Sequence, residues 1–205
     1  TIVKTRETNI QYLEYDEEAK KLYEKTWCPK IYIVLSKEYT DDFSQDMRQL
    51  FKISKFDINT TTDILAQNAF LRQSVNDAAN SIDFWRWVKA HQKQITSVDK
   101  FKVIPLFDKN NELTNSLSLY ISDIYQQEQI ESLVTKYVKT AQFVSSSYIE
   151  TDNEIEKVEW MKLFKKLGLK SDNKDILFSD ILPNLASLEI DSLDSVIALM
   201  TKHLN

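Results

Sequence analysis

A chain of 205 residues with a single glycine, Gly168, has few ways to bend its backbone sharply. Average usage of ~7% would supply roughly fourteen. Phosphate-cradling loops, dinucleotide fingerprints and nucleophile elbows each need several positions without a Cβ, so one glycine excludes all three. Gly168 follows the apolar stripe Trp160, Leu163, Phe164 and Leu167, where a helix wants a left-handed residue at its C-terminal end, and Leu169 can fold back on the last turn. The only glycine therefore reads as a helix stop, a structural role.

The other chemistry-bearing residues are equally sparse. Two histidines and one cysteine leave little for a metal site or a disulfide framework. Cys28 sits between Trp27 and Pro29 and far in sequence from His91, the nearest histidine; it reads as a small buried hydrophobe in a reducing cytoplasm. Acidic residues number 31 and basic ones 26, for a net charge of −5 with the signs interleaved. Lys162, Lys165, Lys166 and Lys170 could form a local patch, but a solvated helix face explains them, and nucleic acid is not an expected partner. No apolar stretch approaches the ~20 residues of a membrane span. The start at Thr1 and the close on an apparent helix over 193–204 suggest a piece excised from a longer protein, processing of a precursor being the alternative.

Periodicity predicts a helix-dominated α+β fold. Residues 17–25 are helix-like, and Ile31 to Leu35, apolar and partly β-branched after Pro29, read as a buried strand. Thr40 or Asp41 can cap a helix with the stripe Phe43, Met47, Leu50 and Phe51. The cluster Thr60, Thr61, Thr62 and Asp63 is placed as a cap before a long helix carrying Ile64, Leu65, Asn68, Leu71, Val75 and Ala78. Asn80 and Ser81 are expected to break it and start the next helix, with Phe84, Trp85 and Val88 inward. Trp85 and Trp87 lie ~200° apart on that helix, so one is expected in the core and the other at an exposed protein-contact surface.

Residues 101–107 form a second strand candidate that Pro105 confines to an edge or breaks. Asp108, Lys109, Asn110 and Asn111 are turn chemistry, since Asn tolerates positive φ, and the alternating Leu117, Leu119 and Ile121 suggest the returning strand of a loose hairpin. A helix with Ile130, Leu133, Val134, Tyr137 and Val138 follows, capped by Ser122 or Asp123. Thr151 and Glu154 fit a capping box, as N-cap and N3, ahead of the Trp160 helix, with Trp160 inside. A short helix over 175–182 is expected to stop at Pro183, and a last helix carries Leu193, Val196, Ile197, Met200 and Leu204. The polar break at 96–100 divides the reading into an N-terminal helical lobe with one strand, residues 1–98, and a C-terminal lobe with a hairpin and helices, residues 99–205. A short echo between residues 31–39 and 119–125 differs in spacing, which favours chance over the alternative of a duplicated strand–helix–helix unit.

No constellation points to a reaction. The pairs Glu154 with Glu159 and Asp191 with Asp194 are not singled out as facing carboxylates of a glycosidase. Asp172 and Lys174 have a nuclease-like spacing but lie between two helices rather than at a strand end. His91 and His203 suit helix C-termini, and Ser145, Ser146 and Ser147 have no elbow glycine. The tryptophans and tyrosines sit at core positions of helices rather than as stacking platforms.

A series of apolar-pattern segments carries a resemblance: Ala69-Phe70-Leu71-Arg72-Gln73-Ser74, Phe84-Trp85-Arg86-Trp87-Val88, Val103-Ile104-Pro105-Leu106, Leu119-Tyr120-Ile121-Ser122-Asp123-Ile124-Tyr125, Phe143-Val144-Ser145-Ser146-Ser147-Tyr148, and Glu159-Trp160-Met161-Lys162-Leu163-Phe164-Lys165-Lys166-Leu167-Gly168-Leu169. Together they resemble the region downstream of the ATP-binding module in large bacterial sacsin-like proteins, of the gyrase, histidine-kinase and heat-shock-chaperone ATPase superfamily. The resemblance spans about residues 65–185. That superfamily binds ATP through a helix-borne Asn and a glycine-rich lid of the Asp-x-Gly-x-Gly type, which this chain lacks. The resemblance thus implies an ATPase parent and a fragment that is not an enzyme and holds no cofactor. It implies a scaffold or transducer whose partners are the rest of the parent chain and a protein client. A freestanding enzyme or nuclease domain is the alternative.

Overall fold

The computed structural model describes residues 57–126, 131–151, 153–171 and 173–187, with short pieces at 12–13, 21, 24–25, 27–28, 33–34, 45–50, 194, 197–198 and 200–201. The fold is helix-dominated α+β with two-stranded sheets. It divides into two compact units, Thr1–Ile104 and Pro105–Asn205.

In the first unit, β1 (Tyr12–Leu13) pairs in parallel with β2 (Ile33–Val34), inside the strand expected after Pro29. Helix α1 covers Gln45–Leu50 and α2 covers Ile58–Gln67. The cap of α2 is Asp57, not the threonine cluster: its carboxylate accepts from Asn59 N at 2.8 Å and Thr60 N at 2.9 Å. Thr61 and Thr62 lie buried inside the helix, where their hydroxyls donate to the Asp57 and Ile58 carbonyls one turn back at 3.0 and 2.7 Å. The long helix expected beyond is broken. Asn68 turns extended and caps α3 (Ala69–Arg72) by accepting from Leu71 N at 3.1 Å. A 3₁₀ turn over Gln73–Val75 leads to α4 (Ala78–Ala90), capped by Asp77. Asn80 and Ser81 are interior to α4, and the Asn80 amide, donating to the Ser74 carbonyl at 3.0 Å, no longer competes to end the helix.

Trp85 and Trp87 depart from expectation together. Both are buried, Trp85 at 0% and Trp87 at 9% exposure. Two layers sandwich α4: Phe101 packs on Trp85 with centroids 6.4 Å apart, and Trp27 packs on Trp87 and Phe84, at 5.3 Å each. The Trp27 indole N–H is held by Asp83 Oδ2 at 3.0 Å, and Asp83 also pairs with Lys25. Neither tryptophan of α4 offers the exposed contact surface read from the sequence.

The segment 96–104 belongs to this unit, so the division falls after the expected 98/99 boundary. Asn59 Oδ1 accepts from Thr96 N and Oγ1, both at 3.0 Å, and Lys100 pairs with Asp63 at 2.5 Å. Residues 101–103 form a 3₁₀ turn rather than a strand.

In the second unit the strand begins just after Pro105. Strands β3 (Leu106–Phe107) and β4 (Leu113–Thr114) form an antiparallel hairpin. Its turn carries Asn111 at φ 62°, and the buried Asp108 carboxylate accepts from Asn110 N and Glu112 N, both at 2.8 Å. This tight closure uses residues 113–114 as the return strand, not 117–121. Instead β5 (Leu119–Tyr120) pairs in parallel with β6 (Gln142–Phe143), with α5 (Glu131–Tyr137) between them. Bridges from Asp108 to Val144 and from Tyr120 to Lys170 extend the ladder on both sides.

Two aromatic and aliphatic clusters fill the unit. Tyr120, Val134, Tyr137, Phe143, Ile176, Leu177 and Ile181 make one, with Met200 packed against it. Tyr125, Tyr148, Trp160 and Phe164 make the other, with Trp160 stacked on Phe164 at 5.3 Å. Tyr148 Oη accepts the Phe107 N–H at 2.8 Å, and Tyr125 donates to the Ser145 carbonyl at 2.5 Å, so both phenols fasten strands to the core.

Helix α6 (Glu154–Leu167) buries Trp160 fully, as the stripe predicts. It ends where Gly168 adopts φ 86°, ψ 20°. The Leu169 N–H reaches the Phe164 carbonyl at 3.1 Å and the Gly168 N–H the Lys165 carbonyl at 3.1 Å, a Schellman arrangement. Its start differs: the N-cap is Asn153, accepting from Glu156 N at 2.7 Å, and Thr151 and Glu154 are not a capping pair. The Glu156 carboxylate, buried, accepts instead from the residues before the cap, Glu150 N at 2.9 Å, Thr151 N at 2.7 Å and Thr151 Oγ1 at 2.5 Å, and from Trp160 Nε1 at 3.3 Å. Beyond it, α7 (Asn173–Ile176) does not stop at Pro183 but passes through a π turn, Leu177–Ile181, into a 3₁₀ stretch, Leu182–Ser187. Proline cannot donate to a continuing α-helix, and the backbone changes its winding around it. The expected helices at 17–25 and 193–204, and His203, lie largely outside the described residues.

Candidate functional site

The second unit carries an open groove of about 610 Å³ between α6 and the turn at 123–126. Helical periodicity places Glu154, Val158, Met161 and Lys165 on one outward stripe of α6, opposite the buried Trp160 and Leu163. Ile124 forms part of the facing wall, and Ile124 and Val158 are 40% and 39% exposed. The groove therefore mixes the apolar Ile124, Val158 and Met161 with a mostly polar lining. Glu154 and Asp123 contribute acid and Lys157 and Lys165 contribute base at its margins. This is a surface suited to a polypeptide side, with no concentration of one charge to select an anion or cation.

The facing wall is held by Glu131 at the start of α5. Its Oε1 accepts from Ser122 Oγ at 2.5 Å and Asp123 N at 2.8 Å, its other oxygen pairs with Lys109, and its own N–H is received by Asp123. Burial pushes the Glu131 carboxyl up, but Lys109, Ser122 and the Asp123 N–H outweigh that and hold it below the ordinary carboxylate range.

A smaller cleft of about 240 Å³ is lined by Lys170, Ser171, Asp175 and Asp180. Lys170 Nζ reaches both Asp180 oxygens at 2.9 and 3.0 Å, donates to Tyr120 Oη at 3.3 Å and lies 4.9 Å over the Tyr120 ring. Partial burial lowers the lysine pKa, yet the Asp180 and Tyr120 contacts dominate and raise it. The Tyr120 phenol is also pushed up, by burial and then by Asp180. Through these contacts the trio ties the π turn to β5.

Elsewhere, Cys28 is buried and its thiol is pushed up to about 12 by desolvation, which makes it a poor nucleophile. His91 ends α4 with Nδ1 2.9 Å from the Trp87 carbonyl oxygen. Ser145 accepts from Ser147 N at 3.2 Å in a turn cap. Among the described residues, no three His, Cys, Asp or Glu side chains are grouped to hold a metal ion, and no helix is long and apolar enough to cross a membrane.

Of the residues singled out from sequence, Glu154 lines the groove, Trp160 and Gly168 build the helix behind it, Thr151 fastens its start, and Trp85 and Trp87 lie in the other unit's core. Ile124, Val158 and Glu131 were not singled out. A second Asn-x-x-Glu spacing, from Asn153 to Glu156, overlaps the Thr151–Glu154 one and carries the true cap. No family model, curated protein or solved structure matches this chain.

Proposed function

We propose that this chain is a non-catalytic scaffold or transducer region of a larger sacsin-like ATPase of the cytoplasm, and that it couples nucleotide state to the binding of a protein partner or client. The observation that supports the reading is the groove along α6: exposed aliphatic side chains on a rigid, twice-capped helix, bordered by charges of both signs. Such a mixture resembles the margin and centre of a protein-binding surface. The wall at 123–126 hangs on Glu131 and Lys109, so a small displacement of the hairpin turn alters the groove.

Two measurements test this. Residues 1–205 alone should show no micromolar binding of magnesium-ATP by calorimetry, since the phosphate-cradling glycines are missing. In the intact protein, Val158→Asp should weaken partner binding while leaving ATP binding in place. Micromolar ATP binding by residues 1–205, or an intact reading frame without a glycine-rich ATP lid, would overturn the proposal.

A further inference from the structure

The outward stripe of α6 is self-complementary. Glu154 and Lys165 are eleven residues apart, or ~16 Å along the axis, and Val158 and Met161 lie between them. Both pairs share one midpoint, between Glu159 and Trp160. A second α6 laid antiparallel across that midpoint sets each Glu154 against the partner copy's Lys165 and each Val158 against the partner copy's Met161. The helix dipoles are then opposed as well.

From this we infer that the occupant of the α6 groove is a second copy of the chain, docked through α6 about a two-fold axis. The inference rests on the reading of the groove as a docking surface and names its partner. An isologous interface requires one patch to complement itself under two-fold rotation, and the acid–apolar–apolar–base order of this stripe does so. The exposure of the four residues fits. The Glu154 side chain is 79% exposed and engages Lys157 through Oε1 at 3.2 Å, Lys165 and Val158 are exposed, and Met161 is half-buried. The order of charges follows the helix itself: acid stands in the first turn and base in the last, where each suits its own macrodipole, and antiparallel pairing uses the same order a second time. A fourteen-residue helix is only ~21 Å long, so the contact falls below the ~1,200 Å² of a standard interface. The dimer is therefore weak and charge-dependent, formed at micromolar or higher concentration and loosened by salt.

Sedimentation velocity on the full chain, over about 10 μM to about 1 mM, tests the inference. The chain should associate, and Glu154→Lys or Lys165→Glu alone should weaken association about tenfold or more, because each reversal places two like-charge contacts in every dimer. The double variant E154K/K165E exchanges the signs and should restore association to within about threefold. Circular dichroism checks that each exposed-site variant keeps its helix content. A monomeric wild-type chain over the whole range, or a double variant as weak as the singles, overturns the second copy as occupant. The docking surface itself fails separately, if Val158→Asp leaves partner binding by the intact protein unchanged.

Discussion

Replacing Gly168 isolates one backbone conformation from every side-chain contact. At φ 86°, ψ 20° a residue with a Cβ crowds its own carbonyl, at ~1–2 kcal/mol for an unbranched side chain. A β-branched side chain raises the cost, and Asn tolerates the region best. Gly168→Ala also lowers the entropy of the unfolded chain, which returns ~0.4–1 kcal/mol. The expected order of destabilisation is therefore Val above Ala above Asn, with Val beyond 1 kcal/mol. If Val instead drives the residue out of the left-handed region, the Leu169 N–H to Phe164 bond at 3.1 Å is lost and the buried Leu169 loses its seat, which adds to the loss. Because the chain has two units, whole-chain fluorescence in urea mixes their transitions, and three of the four tryptophans, Trp27, Trp85 and Trp87, lie in the first. Amide exchange in urea, read on peptides covering 154–170, reports the affected unit alone. For an m-value of ~2 kcal/mol/M, the Val variant should lose its protection about 0.5 M earlier or more. Equal midpoints for Gly, Val and Asn would refute the left-handed assignment.

Glu156→Ala should cost about 2–4 kcal/mol, since it strips acceptors from the Glu150 and Thr151 N–H groups and the Trp160 indole; the same exchange readout over 150–160 checks it, and a loss under ~0.5 kcal/mol would contradict the cap. Glu131 has a folded pKa below its unfolded value of ~4.3, so its contribution is present above that pH and is lost as pH falls through the folded pKa. Stability of the second unit should fall with acid below about pH 4.3, and Glu131→Gln should flatten that slope; an unchanged slope would count against the Lys109–Glu131–Ser122 network. Acrylamide should quench all four tryptophans weakly, with Trp87 the most accessible; strong quenching would contradict the double layer around α4.

Local signals were legible where the backbone leaves one solution. The Gly168 stop, the Asn111 turn and the break at Pro105 each follow from conformations that few residues accept, and the structure adopts them. The helix-dominated α+β class followed from the spacing of apolar residues. Caps were displaced because several residues of one type stood close together. Thr60 to Thr62 could cap α2, but Asp57 offers two carboxylate oxygens, one of which receives the Thr60 hydroxyl, and Thr61 and Thr62 find i−4 carbonyls. The same competition moved the cap from Thr151 to Asn153, and Glu156 rather than Glu154 receives the N–H groups ahead of the helix. Partners distant in sequence were not legible: nothing local says that Trp27 covers Trp87, that β5 pairs with β6 across α5, or that Lys170 meets Asp180. The groove was invisible for the same reason. Val158 and Met161 look like an incomplete core stripe until the turn at 123–126 is placed beside them.

The central claim, that the α6 groove answers to nucleotide in a larger protein, is tested most directly by amide exchange on the intact protein with and without magnesium-ATP. Peptides covering 123–126 and 154–165 should change protection on nucleotide binding, while those covering 78–90 in the first unit's core stay constant. Identical exchange over 123–126 and 154–165 in both states, with ATP demonstrably bound, would contradict the account.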